Sequence, residues 1–437
     1  MEDKNRVSTE MDLPLESEPF FKEIKVDKWD KIFAVAYLFL GYGLWKTGQY
    51  DSFFNISGFV LFYIAVVSLY CFVKGFHING EKIFWSIILL GIGLPYGYYS
   101  IMPLAQLGML AIVGAYWTLV MTDALVLDGK TSSWVFLDVW HALVILPFSN
   151  FLCQIRVLRV LLQSLFYKSQ KKTGIMILLG IGISLPVLVI ILPVLSQADA
   201  GFSRMLTRVF ERVFVFEGGL FLQLCIEIPV VVILSSLMFG TVYGGIYQRN
   251  IEKGICKEYK EISGEGFHII PDVAIYTFAG IIGFTYLLFI AFQAKYLFSA
   301  CGGILPESFT YAEYARQGFF ELCGITAFNV LLLFFMNIFA RTVTRENKVL
   351  SVINIAFSTV TILLLITAMS KLGMYIAAYG FTIKRIQAGV FMIWLFLVLF
   401  MIIWHQKRKI PLVRWAVFSG AVLFTLLCIL PLEAMLS

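Results

Sequence analysis

The residues best suited to chemistry in this chain crowd into one short stretch: Tyr311, Glu313, Tyr314, Arg316, Gln317 and Glu321. On a helix starting near Thr310, Glu313, Arg316 and Gln317 stand at i, i+3 and i+4 and share a face, with Glu321 one turn further on. Such a face suits an ion-paired helix entry, where carboxylates favour the positive end of the helix dipole. It equally suits a polar site at the mouth of a helix bundle. Two other stretches mix polar and aromatic residues: 197–204, with Asp199 and Arg204, and 371–385, with Tyr375, Tyr379, Lys384 and Arg385. Tyrosines so placed anchor a helix at a membrane interface or contact a ligand. Glu227 stands apart, inside the apolar run Gln223–Pro229. A charge at that depth costs at least about 2.5 kcal/mol, so it requires a partner, a proton or a watery mouth. It is the candidate for coupling a proton or cation, and Pro229 frees a backbone carbonyl nearby.

Metal and nucleophile chemistry find little support. The seven cysteines form no CxxC, and His77, His141, His268 and His405 are scattered. No zinc site, disulfide framework or other metal centre is expected. There is no Walker motif, kinase signature, HExxH or GxSxG, and Gly91-Ile92-Gly93 and Gly180-Ile181-Gly182 lie in apolar runs without the strand a nucleotide loop needs. No catalytic residue, cofactor or nucleic-acid partner is assigned, and an enzyme is the less favoured class.

The elements that must position these residues follow from composition. Of 437 residues, 59% are apolar and 14% charged, against about 45–50% and 25% in soluble domains. A water-exposed fold could not hide that excess, whereas lipid-facing side chains need no hiding. The expected fold is all-α: a polytopic transmembrane bundle of about eleven spans. A span needs about 20 apolar residues, and candidate runs lie at 32–49, 53–73, 83–99, 103–122, 174–195, 218–247, 273–294, 318–340, 350–369, 386–404 and 413–432. Residues 1–30 read as a polar cytoplasmic tail, without a cleavable signal, before one transmembrane domain over 31–437. The first apolar run is expected to serve as an uncleaved anchor.

Residues 134–167 fit less easily. The run 134–152 is apolar enough to span but holds Asp138, His141 and Pro147, and 155–167 carries Arg156, Arg159 and Gln163 on one stripe with leucines opposite. That pattern predicts interfacial amphipathic helices lying on, or dipping into, the cytoplasmic side. With the N-terminus inside, this choice places 25 of the 34 Lys and Arg on the cytoplasmic side and nine outside. That is the asymmetry expected of the positive-inside rule, and it puts the C-terminus outside. The net charge of +6 is therefore read as membrane orientation. The three polar stretches then emerge on the same outer side. Asn329, Asn337 and Asn354 are read as interhelical glue, and Gly240-xxx-Gly244 as a close-packing motif.

The segment Tyr311-Ala312-Glu313-Tyr314-Ala315-Arg316-Gln317-Gly318-Phe319-Phe320-Glu321-Leu322, with Ala198-Asp199-Ala200-Gly201-Phe202 and Ala378-Tyr379-Gly380-Phe381-Thr382, resembles a bacterial family of multi-pass membrane proteins known only as a domain of unknown function. The family tends to have Pro where this chain has Ala200. The resemblance covers 174–404 and implies a bacterial cytoplasmic membrane protein, without an activity to carry over. The favoured function is a transporter or permease-like protein with an outward-facing polar vestibule for a small molecule or ion. The alternatives are a signalling or accessory protein that partners an envelope complex, and an intramembrane enzyme acting on lipid-linked substrates.

Overall fold

The computed structural model describes residues 24–48, 55–98, 100, 102–126, 130–166, 180, 184, 191, 195, 201–205, 220–249, 270–299, 311–340, 347–408 and 410–432. Among them the chain is helical, with no strand beyond an isolated bridge between Ile270 and Ala340. The helices are α1 (Lys28–Thr47), α2 (Ile56–Val73), α3 (Gly80–Tyr96) and α4 (Pro103–Met121), followed by the short α5 (Val135–Trp140) and α6 (Leu146–Ser149) and then α7 (Cys153–Phe166). Beyond them lie α8 (Leu220–Ile246), α9 (Asp272–Ser299), α10 (Tyr311–Phe339), α11 (Lys348–Tyr379), α12 (Ile383–Lys407) and α13 (Leu412–Ile429). Every apolar run expected to span coincides with one of these, except 174–195, which lies largely outside the described residues.

Seven described helices (α2, α4, α8, α9, α11, α12 and α13) are long and apolar enough to cross a membrane, and the bent pair 135–149 and 153–164 makes an eighth if it is one span. Around the bundle, Phe72, Leu104, Phe136 and Phe292 are 70–86% exposed. Large apolar side chains facing outward at this density mark a surface solvated by hydrocarbon. The protein is an integral membrane protein.

Local sequence explains where helices begin. Asp27 caps α1 in a capping box with Asp30, and Asn55, Asn79 and Asn347 cap α2, α3 and α11; each supplies an acceptor to otherwise orphaned N–H groups. Gly380, at φ +73°, ends α11 in a conformation that disfavours a side chain. Two apolar cores result. One joins α1–α8 with part of α13, and the other joins α9–α12 with Ala416 of α13.

α1 and α8 run antiparallel with their backbones nearly touching. A Cβ on Gly41 would lie 2.6 Å from the Val231 carbonyl oxygen. The Gly240–Gly244 motif does pack closely, but against the break after α6: a Cβ on Gly240 would meet the Asn150 and Pro147 carbonyls at 3.1 Å. This bears on 134–167. Asp138, Leu146, Asn150, Gln154 and Val157 are buried, and the segment packs against α1, α4 and α8. It is set into the bundle, bent by 42°. The physical reason is polar satisfaction. Gln154 Nε2 donates to the Ala34 carbonyl at 2.9 Å, and its Oε1 accepts from Ser235 and Ser236 at 3.0 Å each.

Candidate functional site

The three asparagines read as glue set the register of α10 against its neighbours. Asn329 donates to Thr361 Oγ1 at 3.1 Å and accepts from Tyr286 of α9 at 2.5 Å. Asn354 donates to Asn337 Oδ1 at 2.8 Å. α10 and α11 are therefore antiparallel, and the register extends along both helices at the same 1.5 Å rise. It brings Glu321 level with Lys371, whose charge it reaches electrostatically. One to three turns further, Arg316 is level with Tyr375, Glu313 with 378, Tyr314 with 377 and Tyr311 with Gly380. Two of the three polar stretches thus meet at one end of one helix pair. The structure describes only the backbone over 311–318.

Lys371 is fully buried, and Glu321 is exposed. Lys371 lies on α11 beside the apolar core, so among the described side chains its ammonium is the most deeply placed cation of this end. It heads the 371–385 stretch without being one of the candidate residues read from the sequence. Beyond it the chain folds into an aromatic corner. The Arg385 guanidinium sits 4.0 Å from the Tyr375 ring centroid. It donates to the Tyr379 carbonyl at 3.0 Å and to the Gly380 carbonyl. The Tyr375 and Tyr379 rings meet edge-on at 5.3 Å. A cation capping the last carbonyls of α11 suits the negative end of its dipole, so Arg385 is held in place by its own chain. Lys384 is exposed. Arg204 is exposed within the helical turn 201–205, and Asp199 lies outside the described residues.

Glu227 has the partner its depth demands. Lys46 Nζ, at the end of α1, is 2.5 Å from Glu227 Oε1, with the two side chains 16% and 9% exposed. Lys46 also lies over the Tyr42 ring at 5.5 Å. The two residues are 181 positions apart, and no local spacing could have paired them.

Two further polar clusters were missed. Asp30, in the first turn of α1 ahead of its apolar stretch, is wholly buried. Its carboxylate accepts from Lys74 and Tyr70 at 2.7 Å each, from Tyr247 at 2.6 Å and from the Asp27 N–H at 2.7 Å. Burial pushes its pKa up, but Lys74, Tyr247, the Asp27 amide and Tyr70 outweigh it, so Asp30 stays below the usual aspartate range. At the start of α3, Glu81 accepts from the Thr131 N–H at 2.6 Å, from the Thr131 hydroxyl, and from Arg414 of α13 at 3.1 Å. Next to it Lys82 donates to Asp123 and to the His77 carbonyl, both at 2.9 Å. The only signal for these clusters was a charge beside an apolar run, which also describes an ordinary flank.

Among the described residues no group of His, Cys, Asp or Glu could hold a metal, and Cys71, Cys153, Cys323 and Cys428 are free thiols. No curated protein and no solved structure matches the chain. One family model does match, over residues 87–437, and its span reaches well beyond the 174–404 covered by the sequence resemblance. The chain belongs to the family described as a domain of unknown function, DUF4153.

Proposed function

We propose that this protein is a permease-like transport protein of the bacterial cytoplasmic membrane, in which the α10–α11 end is an outward-facing vestibule for a small molecule or ion. The observation that carries the reading is the α10–α11 register. It sets Glu313, Arg316 and Glu321 level with Lys371, Tyr375 and Tyr379 at the end of two apolar helices. Charges gathered at membrane depth are costly and usually functional. Asp199, Arg204, Tyr311, Tyr314, Lys384 and Arg385 complete the proposed rim, and Glu227, balanced by Lys46, is the proposed coupling group.

The topology behind this reading has eleven crossings, a cytoplasmic tail over 1–30 and an external C-terminus. Contacts support it by parity. Lys46–Glu227 joins the end of α1 to the first part of α8, and Asp30–Tyr247 joins the start of α1 to the end of α8. Antiparallel α1 and α8 require an even number of crossings between them. α2, α3 and α4 supply three, so an odd number remains before α8, and the run 174–195 supplies one. Arg414–Glu81 sets the starts of α13 and α3 at one level, as four crossings by α9–α12 require.

The test is flux. Proteoliposomes loaded with a pH-sensitive dye and challenged with a panel of small anions, cations and amino acids should show wild-type flux that falls at least tenfold in Glu313→Gln/Glu321→Gln. Equal flux in the double variant removes the vestibule from the path. No flux with any member of the panel removes the transport reading.

A further inference from the structure

The first core holds two buried aspartates with opposite surroundings. Asp30 has four donors on its two oxygens, one of them an ammonium. Asp138, on α5, is equally buried. Among the described residues it has one donor: the Val126 N–H reaches Oδ1 at 2.8 Å. Its Oδ2 is buried without a hydrogen-bond partner among them.

The titratable groups around Asp138 do not compensate it. From α4, Tyr116 turns its hydroxyl to Thr131 Oγ1 at 2.9 Å. From α3, Glu81 is engaged by Thr131 and Arg414, and Arg414 of α13 is spent on Glu81. Lys82 is held by Asp123 and the His77 carbonyl. On the same segment, His141 Nδ1 is 3.0 Å from the Leu137 carbonyl oxygen. No ion pair to Asp138 exists among the described residues.

A carboxylate with one donor and no cation cannot hold its charge in a dry site, whereas a neutral carboxyl can. We propose that Asp138 is a proton-binding site: a carboxyl that is neutral in this packing and releases its proton to water when the segment opens, becoming a carboxylate. The segment is built to move. Immediately after Asp138 the helix widens into a π-turn over His141–Ile145, then meets Pro147 and breaks beyond Ser149. π-turns are rare and concentrate at functional positions. The site stands independently of the α10–α11 vestibule; joined to the transport reading, it names the proton as the coupling ion.

Infrared spectroscopy on the full chain in lipid nanodiscs tests this without any flux measurement, so its failure and that of the vestibule are separable. Wild-type protein should show a protonated-carboxyl stretch that persists above the pH at which ordinary carboxyls ionise and vanishes as pH rises further. Asp138→Asn should lack the band in that window, and Glu227→Gln should keep it. If Asp138→Asn fails to reach the membrane, Asp138→Glu should shift the frequency of the same band. The proposal is overturned if wild type and Asp138→Asn superpose in this region at every pH, if Asp138→Glu leaves the band in place, or if the band persists unchanged to the alkaline limit.

Discussion

Splitting the Lys46–Glu227 pair should cost more stability than any surface substitution in the chain. Both side chains are largely buried and the charged atoms are 2.5 Å apart. Removing one partner of a buried pair leaves an uncompensated charge, typically costing about 3–5 kcal/mol. Glu227→Gln should fall at the lower end, about 3 kcal/mol, because the Lys46 ammonium keeps the face of Tyr42, an interaction worth about 1 kcal/mol. Lys46→Met should cost a similar amount or more. Removing both charges should recover part of the loss, giving a coupling energy of about 2 kcal/mol or more in a double-mutant cycle. Reversible unfolding in mixed detergent micelles measures all four species. Independent sites add within about 0.5 kcal/mol, so a coupling below that would refute the pairing. As a further check, exchanging the charges (Lys46→Glu with Glu227→Lys) should be better tolerated than either reversal alone.

Asp30 sets an acid limit on the α1–α2–α8 end. Its folded pKa lies below the ordinary 3.8, so its stabilisation is fully present above that value and is lost as pH falls through the lower folded one. Asp30→Asn should flatten the acid limb of a melting-temperature profile; an unchanged limb would refute the assignment. Gly41→Ala should loosen the α1–α8 contact by about 1–3 kcal/mol, the usual cost of overpacking, and a neutral result would mean the helices separate easily there. Cysteines introduced at Asp199, Glu313 and Lys384 in a cysteine-free background should all react with impermeant thiol reagents from outside intact cells. Labelling of any one from the cytosolic side alone would break the topology.

Composition and apolar run length made the helical membrane fold readable, because lipid imposes a length and polarity rule on each segment separately. Asn329, Asn337 and Asn354 were readable for the same reason: an amide inside an apolar run must find a partner. What that partner would be was not readable. Glu227 announced a need that only folding could answer, through a lysine near the far end of the run 32–49. Asp30 looked like the end of a tail, and Glu81 and Lys82 like a helix flank, because each is satisfied from distant helices. Residues 134–167 were legible in part for a related reason. An arginine stripe opposite leucines reads as a helix on, or dipping into, the cytoplasmic side, but it does not reveal that Gln154 of the same segment is bonded to the Ala34 carbonyl of α1.

The Arg414–Glu81 contact spans 333 residues and imposes an order on biogenesis. α3 enters the bilayer early in synthesis, but the guanidinium that balances its carboxylate arrives only with the last described helix. Until α13 is made, the Glu81 carboxylate has the Thr131 donors without the guanidinium. A chain shortened before Leu412 should therefore hold the start of α3 less firmly than the full chain.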